Sequence, residues 1–422
     1  MQSLLAFLLT ATALAQPKLQ IHSSNTTESL RGVSAVSKKI AWASGTHGTY
    51  LRTTDAGRTW TPAQVPGAAT LDFRAVVAFS ADDAFLMSAG PGDQSRIYHT
   101  SDAGKTWQLQ FTNKNLKGFF DSMVFWDPTH GIVLGDPIPD QTGKETGNET
   151  GQLKFELLIT TDGQTWTPIP PQQLPPAIEG EGAFAASNTC LAILPNPVIL
   201  SPQSRVIPSD ARDPGFPGVA HAASPTTPPA QPWKSGASAP RKLGETEGAP
   251  ALDPNIWFAT GGKAARVFHS PDRGQTWQVS NTPILQGPDS AGIFSIAFRD
   301  QIHGVIAGGD YKHPDQDGPN LAFTSDAGKT WTLSPTHPQA YFSAAAYDRK
   351  GNDGKRNPRS KNQDDNQRLF LAAQTFILDF RPPKNPTRIS PNNPATQFNA
   401  LSPYPTGGAL AVGPKGAIAT IP

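Results

Sequence analysis

The stretch Thr53-Thr-Asp-Ala-Gly-Arg-Thr-Trp60 decides the fold, because the chain repeats it. Further copies are Thr100-Ser-Asp-Ala-Gly-Lys-Thr-Trp107, Thr160-Thr-Asp-Gly-Gln-Thr-Trp166, His269-Ser-Pro-Asp-Arg-Gly-Gln-Thr-Trp277 and Thr324-Ser-Asp-Ala-Gly-Lys-Thr-Trp331. The third copy is one residue shorter, and the fourth carries Pro271 before its aspartate. Each follows an apolar run and reads as a hairpin turn. The carboxylates of Asp55, Asp102, Asp162, Asp272 and Asp326 accept hydrogen bonds from backbone N–H groups of their own turns. The glycine that follows supplies a positive φ. Threonine and tryptophan then open the next strand, where β-branched and aromatic residues fit a pleated surface. Trp60, Trp107, Trp166, Trp277 and Trp331 are large enough to wedge between adjacent sheets, and each indole N–H needs a partner. A residue repeated five times around a fold cannot sit at one active site, so these aspartates and tryptophans read as structural.

Working outward, each copy follows a strand pair. The first strands read Leu30-Arg-Gly-Val-Ser-Ala-Val, Phe73-Arg-Ala-Val-Val-Ala-Phe, Phe120-Asp-Ser-Met-Val-Phe, Gly182-Ala-Phe-Ala-Ala-Ser and Ile293-Phe-Ser-Ile-Ala-Phe. The second strands are short, rich in small residues and closed by glycine, such as Ala41-Trp-Ala-Ser-Gly and Gly304-Val-Ile-Ala-Gly-Gly. Two further units lack the aspartate turn, one from Tyr341 to Phe380 and one from Phe398 to the C-terminus. Five and two give seven four-stranded blades of about 40–50 residues where nothing is inserted. The last unit has no outer strand of its own. Leu19–Ile21 is expected to supply it and close the ring, removing exposed sheet edges.

The repeated Asp-x-Gly-x-Thr-Trp turns resemble the Asp-box, or BNR repeat, of sialidase-like β-propellers. The whole-blade pattern resembles the photosystem II stability/assembly factor family and its non-photosynthetic bacterial relatives, over nearly all of residues 16–422. The resemblance implies a single seven-bladed propeller of four-stranded antiparallel blades. It also implies a scaffold that holds a partner polypeptide and performs no chemistry of its own.

Composition narrows the remaining classes. Lys+Arg 35 against Asp+Glu 34 gives net charge +1, which disfavours a dedicated nucleic-acid binder. Gly 38 and Pro 42 disfavour a helical protein. A single cysteine, Cys190, excludes an intrachain disulfide and any Cys-based metal cluster, and its apolar setting reads as a small buried hydrophobe. Residues 1–15 read as a signal peptide ending in Ala13-Leu-Ala15, so the mature chain is expected to be secreted or periplasmic. No later run reaches about 18 apolar residues, so no spanning helix is expected. A Pro-rich stretch at about 196–254, between the first two strands of the fourth blade, and a polar stretch at about 348–367 read as insertions.

In an up-and-down blade, loops 2–3 and 4–1 share one face and the aspartate turns lie on the other. The variable, charged residues fall on the 2–3 and 4–1 side: Arg31, His47, Arg74, Arg96, Asp121, Asp136, Glu181, Arg266, Asp310 and Tyr311. Their convergence on one mouth predicts a ligand or peptide site. Three functions compete. The first is a monomeric binding or assembly protein for an exported or membrane polypeptide, or a small ligand, with no cofactor. The second is a sialidase-like glycoside hydrolase, with an arginine cluster for a carboxylate and Glu181, Asp121 and Asp136 as carboxylates. The Phe-Arg-Ile-Pro motif of sialidases is replaced here by Phe73-Arg74-Ala-Val. The third is an oxidoreductase-labelled propeller, for which no dinucleotide or haem motif is present. No metal site is expected. The histidines are scattered, and the loop His313–Asp317 lacks calcium-ligand spacing.

Overall fold

The computed structural model describes residues 18–140, 151–194, 253–336, 338–349, 367–381 and 384–422. Residues 1–15, the core of the 196–254 insertion and most of the 348–367 stretch lie outside them. The described chain forms seven antiparallel sheets around a ring. Blade 1 runs Leu30–Ala35, Ala41–Gly45, Thr49–Thr53 and Thr61–Gln64, from the innermost strand outward. Its third strand is largely buried and its fourth is exposed, which follows from a four-stranded blade with its last strand at the rim. The innermost strands of successive blades contact one another around the whole circle.

Closure follows the expectation. Gln20–His22 adds as the outer strand of blade 7, with Gln20 opposite Thr420 and His22 opposite Ile418. Both ends of the chain thus share one sheet, and the ladder that would be an open edge is paired.

The four long aspartate turns share one hydrogen-bond scheme. Asp55 Oδ1 accepts from Thr59 N at 2.9 Å, and Oδ2 accepts from Thr59 Oγ1 at 2.6 Å. Gly57 N donates to Thr53 Oγ1 at 3.0 Å. The same bonds recur at Asp102 and Asp326, and Ser270 replaces the first threonine at Asp272. In the short copy, Asp162 accepts from Gln164 N and Thr165 N. These bonds favour the ionised carboxylate, which holds Asp55, Asp102 and Asp162 at about 2. In the four long copies the residue before the glycine is also left-handed, such as Ala56 at φ 67° ahead of Gly57 at 76°.

Each turn tryptophan enters the seam with the preceding blade. Trp60 packs among Tyr404, Leu410 and Ile418 of blade 7. Trp107 joins blade 1, Trp166 blade 2, Trp277 blade 3 and Trp331 blade 4. Trp166, Trp277 and Trp331 donate their indole N–H to Gln110 Oε1, Gly274 O and Gly328 O, each at 3.1 Å. Removing a buried wedge of this size costs about 3–5 kcal/mol.

Blade 4 departs from the sequence reading. Gly182–Ser187 was expected as its innermost strand; that strand is Leu191–Ile193, which pairs with Ile256–Ala259. Glu181–Gly182 instead pairs with Gly261–Gly262, and both attach to the inner edge of blade 5. Residues 183–189 then cross the ring. Ala185 O accepts from Arg74 Nη1 of blade 2, Asn188 bonds Met123 N and O of blade 3, and Ser187 Oγ donates to Ser343 O of blade 6. Phe184 stacks on Phe294 of blade 5, with ring centroids 3.9 Å apart. A Cβ at Gly261 would collide with the Phe184 ring and lie 2.9 Å from Ala291 O, so only glycine permits this approach. The segment has the small residues of an inner strand, but apart from the Ser187–Thr189 hydroxyl contact its polar side chains find their partners across the channel.

Candidate binding site at the upper face

The ten charged and aromatic residues marked by the sequence all come from the upper face, where loops 2–3 and 4–1 emerge, but they do not form one site. Arg31, Arg74 and Asp121 stand at the starts of the innermost strands of blades 1, 2 and 3. This position turns their side chains toward the axis. Asp72, one position before Phe73, links the two arginines: Arg74 Nε lies 2.9 Å from Asp72 Oδ2, and Arg31 Nε lies 3.8 Å from Oδ1. The three side chains are 31, 23 and 28% exposed for Arg31, Asp72 and Arg74. Arg31 Nε and Asp72 Oδ1 make no hydrogen bond among the described residues. Arg74 also lies 6.0 Å from the Phe119 ring. Tyr341, buried beside this group, interacts electrostatically with Arg31.

Two carboxylates lie deeper. Asp121 is 1% exposed, and its Oδ2 has no hydrogen-bond partner. Burial, and then the nearby Asp136, push its carboxyl far above the usual range, while Arg74 opposes them. Asp136 accepts from Ala183 N at 2.9 Å and is pushed up to about 6 by burial. Asp136 thus ties the start of the crossing segment to blade 3.

Glu181 and Arg266 belong elsewhere. Arg266 Nε and Nη2 reach Glu181 Oε1 and Oε2 at 2.9 and 2.5 Å. Thr260 Oγ1 and Ile178 N donate to the same carboxylate, and Arg266 Nη2 also donates to Pro176 O. The Glu181 side chain is fully buried. Every site on the carboxylate is taken, so the pair locks the entry to blade 4.

The other residues stand apart. His47 meets Glu28 at 2.7 Å on an exposed rim, which raises the imidazole pKa and lowers that of Glu28. Arg96 bonds Asp93 O within its own loop. Asp310 is buried against Lys312 N and His313. Tyr311 is 43% exposed, with its ring 6.1 Å from Phe294. The sequence places Asp72 among the charged residues of the 4–1 loops without giving it a linking role, and reads Tyr341 as an ordinary strand start. The signal for Asp72 was its place directly ahead of Phe73-Arg74. For Tyr341 it was a polar hydroxyl at the same strand-start position.

No metal-ligating group of three or more His, Cys, Asp or Glu side chains occurs among the described residues. No helix among them is long and apolar enough to cross a membrane.

No protein-family model matches the chain, and no curated protein matches it. Solved structures do. YCF48 bound to a D1 peptide aligns with TM-score 0.56 at 14% identity, covering 97% of this chain and 98% of that one. YCF48 from Cyanidioschyzon merolae aligns with TM-score 0.51 at 14% identity, over 96% and 98%. The WD40 β-propeller domain of Doa1 aligns with TM-score 0.53 at 8% identity, over 96% and 97%. At these identities the likeness is one of fold, and the chain is a seven-bladed β-propeller.

Proposed function

We propose that this protein is a non-catalytic propeller that binds a partner polypeptide at its upper face, with Arg31 and Arg74 receiving an acidic group of the partner. The observation that carries the reading is the Arg31–Asp72–Arg74 group. Two guanidinium groups share one carboxylate there, so one positive charge is left over in a partly exposed group with Phe119 beside Arg74. Arg31 Nε and Asp72 Oδ1 are buried and unbonded, while the Arg31 and Arg74 side chains as a whole are 31 and 28% exposed. A partly exposed arginine pair suits a carboxylate by charge-assisted bonding. A propeller of like fold that binds a peptide, YCF48 with D1, supports the peptide class. Together with the expected leader at residues 1–15, the reading places the partner among exported or membrane polypeptides.

The test is an array of acidic and neutral peptides probed with the full-length protein and with Arg31→Glu and Arg74→Glu. Acid-dependent binding that both variants lose while staying folded supports the reading. Binding that survives both, or that ignores peptide charge, refutes it.

Asp121 and Asp136 favour a second reading, because two carboxyls held toward their neutral forms are the material of general acid catalysis. Turnover on a panel of sialosides and polysaccharides that vanishes in Asp121→Asn would install that reading in place of the first.

A further inference from the structure

A cleft of about 750 Å³ lies on the upper edge of blade 7, and it shares no residue with the Arg31–Asp72–Arg74 group. Three segments wall it. Residues 21–27 run from the closing strand toward blade 1, residues 393–396 lead from blade 6 into blade 7, and residues 414–417 form the turn after the second strand of blade 7. The turn presses on the first segment. Gly416 N donates to Glu28 O at 2.8 Å, and a Cβ on Gly416 would collide with Thr26 O. Lys415 ahead of it is held at φ 55°, a left-handed conformation that strains a lysine. Outside the aspartate turns, Asn25, His47, Asn188 and Lys415 are the left-handed non-glycine residues among those described. Two of them, Asn25 and Lys415, line this one cleft. The first segment is fixed as well: Ser23 Oγ donates to Asn25 Oδ1 at 3.0 Å, and Asn25 Nδ2 donates to Trp60 O at 3.0 Å. The walls are therefore in place before any ligand arrives.

We infer that this cleft binds a sugar acid, a uronate in its ring form, with the carboxylate at Lys415 and the hydroxyls on Thr27, Asn393 and Thr396. Charge selects a monoanion. Lys415 is exposed, and no carboxylate lines the cleft with it. His22 is the other basic side chain of the lining; burial lowers its pKa and it bonds Thr420 Oγ1 at 2.8 Å, so it is neutral at pH 7. A phosphate dianion calls for a guanidinium fork or free backbone N–H groups, and the Gly416 N–H is already spent on Glu28 O. The remaining lining selects a polyol. It is built mainly of hydroxyl and amide side chains, which both donate and accept as sugar hydroxyls do. An apolar ligand would strip these groups of water without replacing the bonds. Ile21, 47% exposed, and Pro414 offer the apolar surface that the C–H face of a sugar ring needs. The volume lies in the upper part of the range for ligand clefts. An occupant would bridge residues 21–27 and 414–417, which flank the pairing of Gln20–His22 with Ile418–Thr420, and so it would hold the closing strand in place.

The test titrates the full-length protein with methyl β-D-glucuronide and methyl α-D-galacturonide, read by amide NMR at residues 415–417 and by hydrogen exchange at Gln20–His22. Methyl β-D-glucoside and inorganic phosphate are the controls. Saturable shifts are expected for at least one uronide, with a dissociation constant on the order of 1 mM, and slowed exchange at Gln20–His22 should accompany them. The glucoside should bind at least about tenfold more weakly. Lys415→Gly removes the charge and suits the left-handed backbone, so the melting temperature should stay level while uronide affinity falls to that of the glucoside. Thr27→Val, at an exposed position, should weaken the uronide and the glucoside alike. No shift with either uronide, equal binding of glucoside and uronide, or unchanged uronide affinity in Lys415→Gly would each overturn the inference. Phosphate that binds more tightly than both uronides would make the cleft a plain anion site and would also overturn it.

Discussion

Two groups of arginine and carboxylate, built from the same residue types on the same face, serve opposite ends. Glu181 and Arg266 form a closed bidentate pair, buried and saturated by Thr260, Ile178 and Pro176. Arg31, Asp72 and Arg74 form a looser group whose side chains stay partly exposed. A closed pair has nothing left to offer a ligand, and breaking it strands a charge without water. An open group contributes little to folding but keeps its bonding capacity for a partner. Saturation and burial, rather than charge or place in the sequence, separate the structural pair from the proposed recognition group.

That comparison breaks most easily at the closed pair. Glu181→Ala or Arg266→Ala should cost about 3–5 kcal/mol, measured by chemical denaturation. A loss below about 1 kcal/mol would mean that the pair is not the lock described. Next comes Asp136. Its carboxyl is raised by burial to about 6, from an ordinary 3.8. The folded state therefore holds a proton that the unfolded state has released between those values. Stability from this group falls as pH rises through about 4 to 6 and is recovered on acidification; Asp121 acts in the same direction. Asp136→Asn keeps an acceptor for Ala183 N and should add about 2 kcal/mol at pH 7.5. Thermal melts from pH 7.5 to 4.5 should then be flatter in the variant than in the parent, and parallel curves would contradict the assignment.

Arg31→Ala and Arg74→Ala sharpen the comparison from the open side. Both should remove acidic-peptide binding; Arg31→Ala should change stability by less than about 1 kcal/mol, while Arg74→Ala should cost about 1–3 kcal/mol because Ala185 O loses its donor. A variant that unfolds as readily as Arg266→Ala would move the open group into the architecture. The smallest effect is expected for Arg96→Ala. Its guanidinium bonds Asp93 O in its own loop, so both peptide affinity and melting temperature should match the parent. A clear loss of binding would extend the recognition surface outward along blade 2.

The periodic features were legible in the sequence. The five aspartate turns, the seven blades and the outer strand from Gln20–His22 all rest on local rules: turn chemistry, strand period and the need to close an edge. The start of blade 4 was not legible. Gly182–Ser187 has the small-residue pattern of an inner strand, and only the positions of Arg74, Met123, Phe294 and Ser343 from four other blades draw it across the channel. The candidate site was legible in part. Its residue types and its face were readable from strand order. The division of those residues between a closed pair and an open group was not, because it depends on which side chains meet across blades.

What the sequence alone determined about this protein is its repeat, and hence its architecture, since each blade is specified by contacts within some tens of residues. What only the tertiary structure decided is which charges are buried in closed pairs and which stay partly exposed. Arg266 finds Glu181 across 85 residues, and Trp60 packs against blade 7 at the far end of the chain. Pairings at that distance are set by ring closure, and ring closure leaves the Arg31 and Arg74 side chains partly exposed.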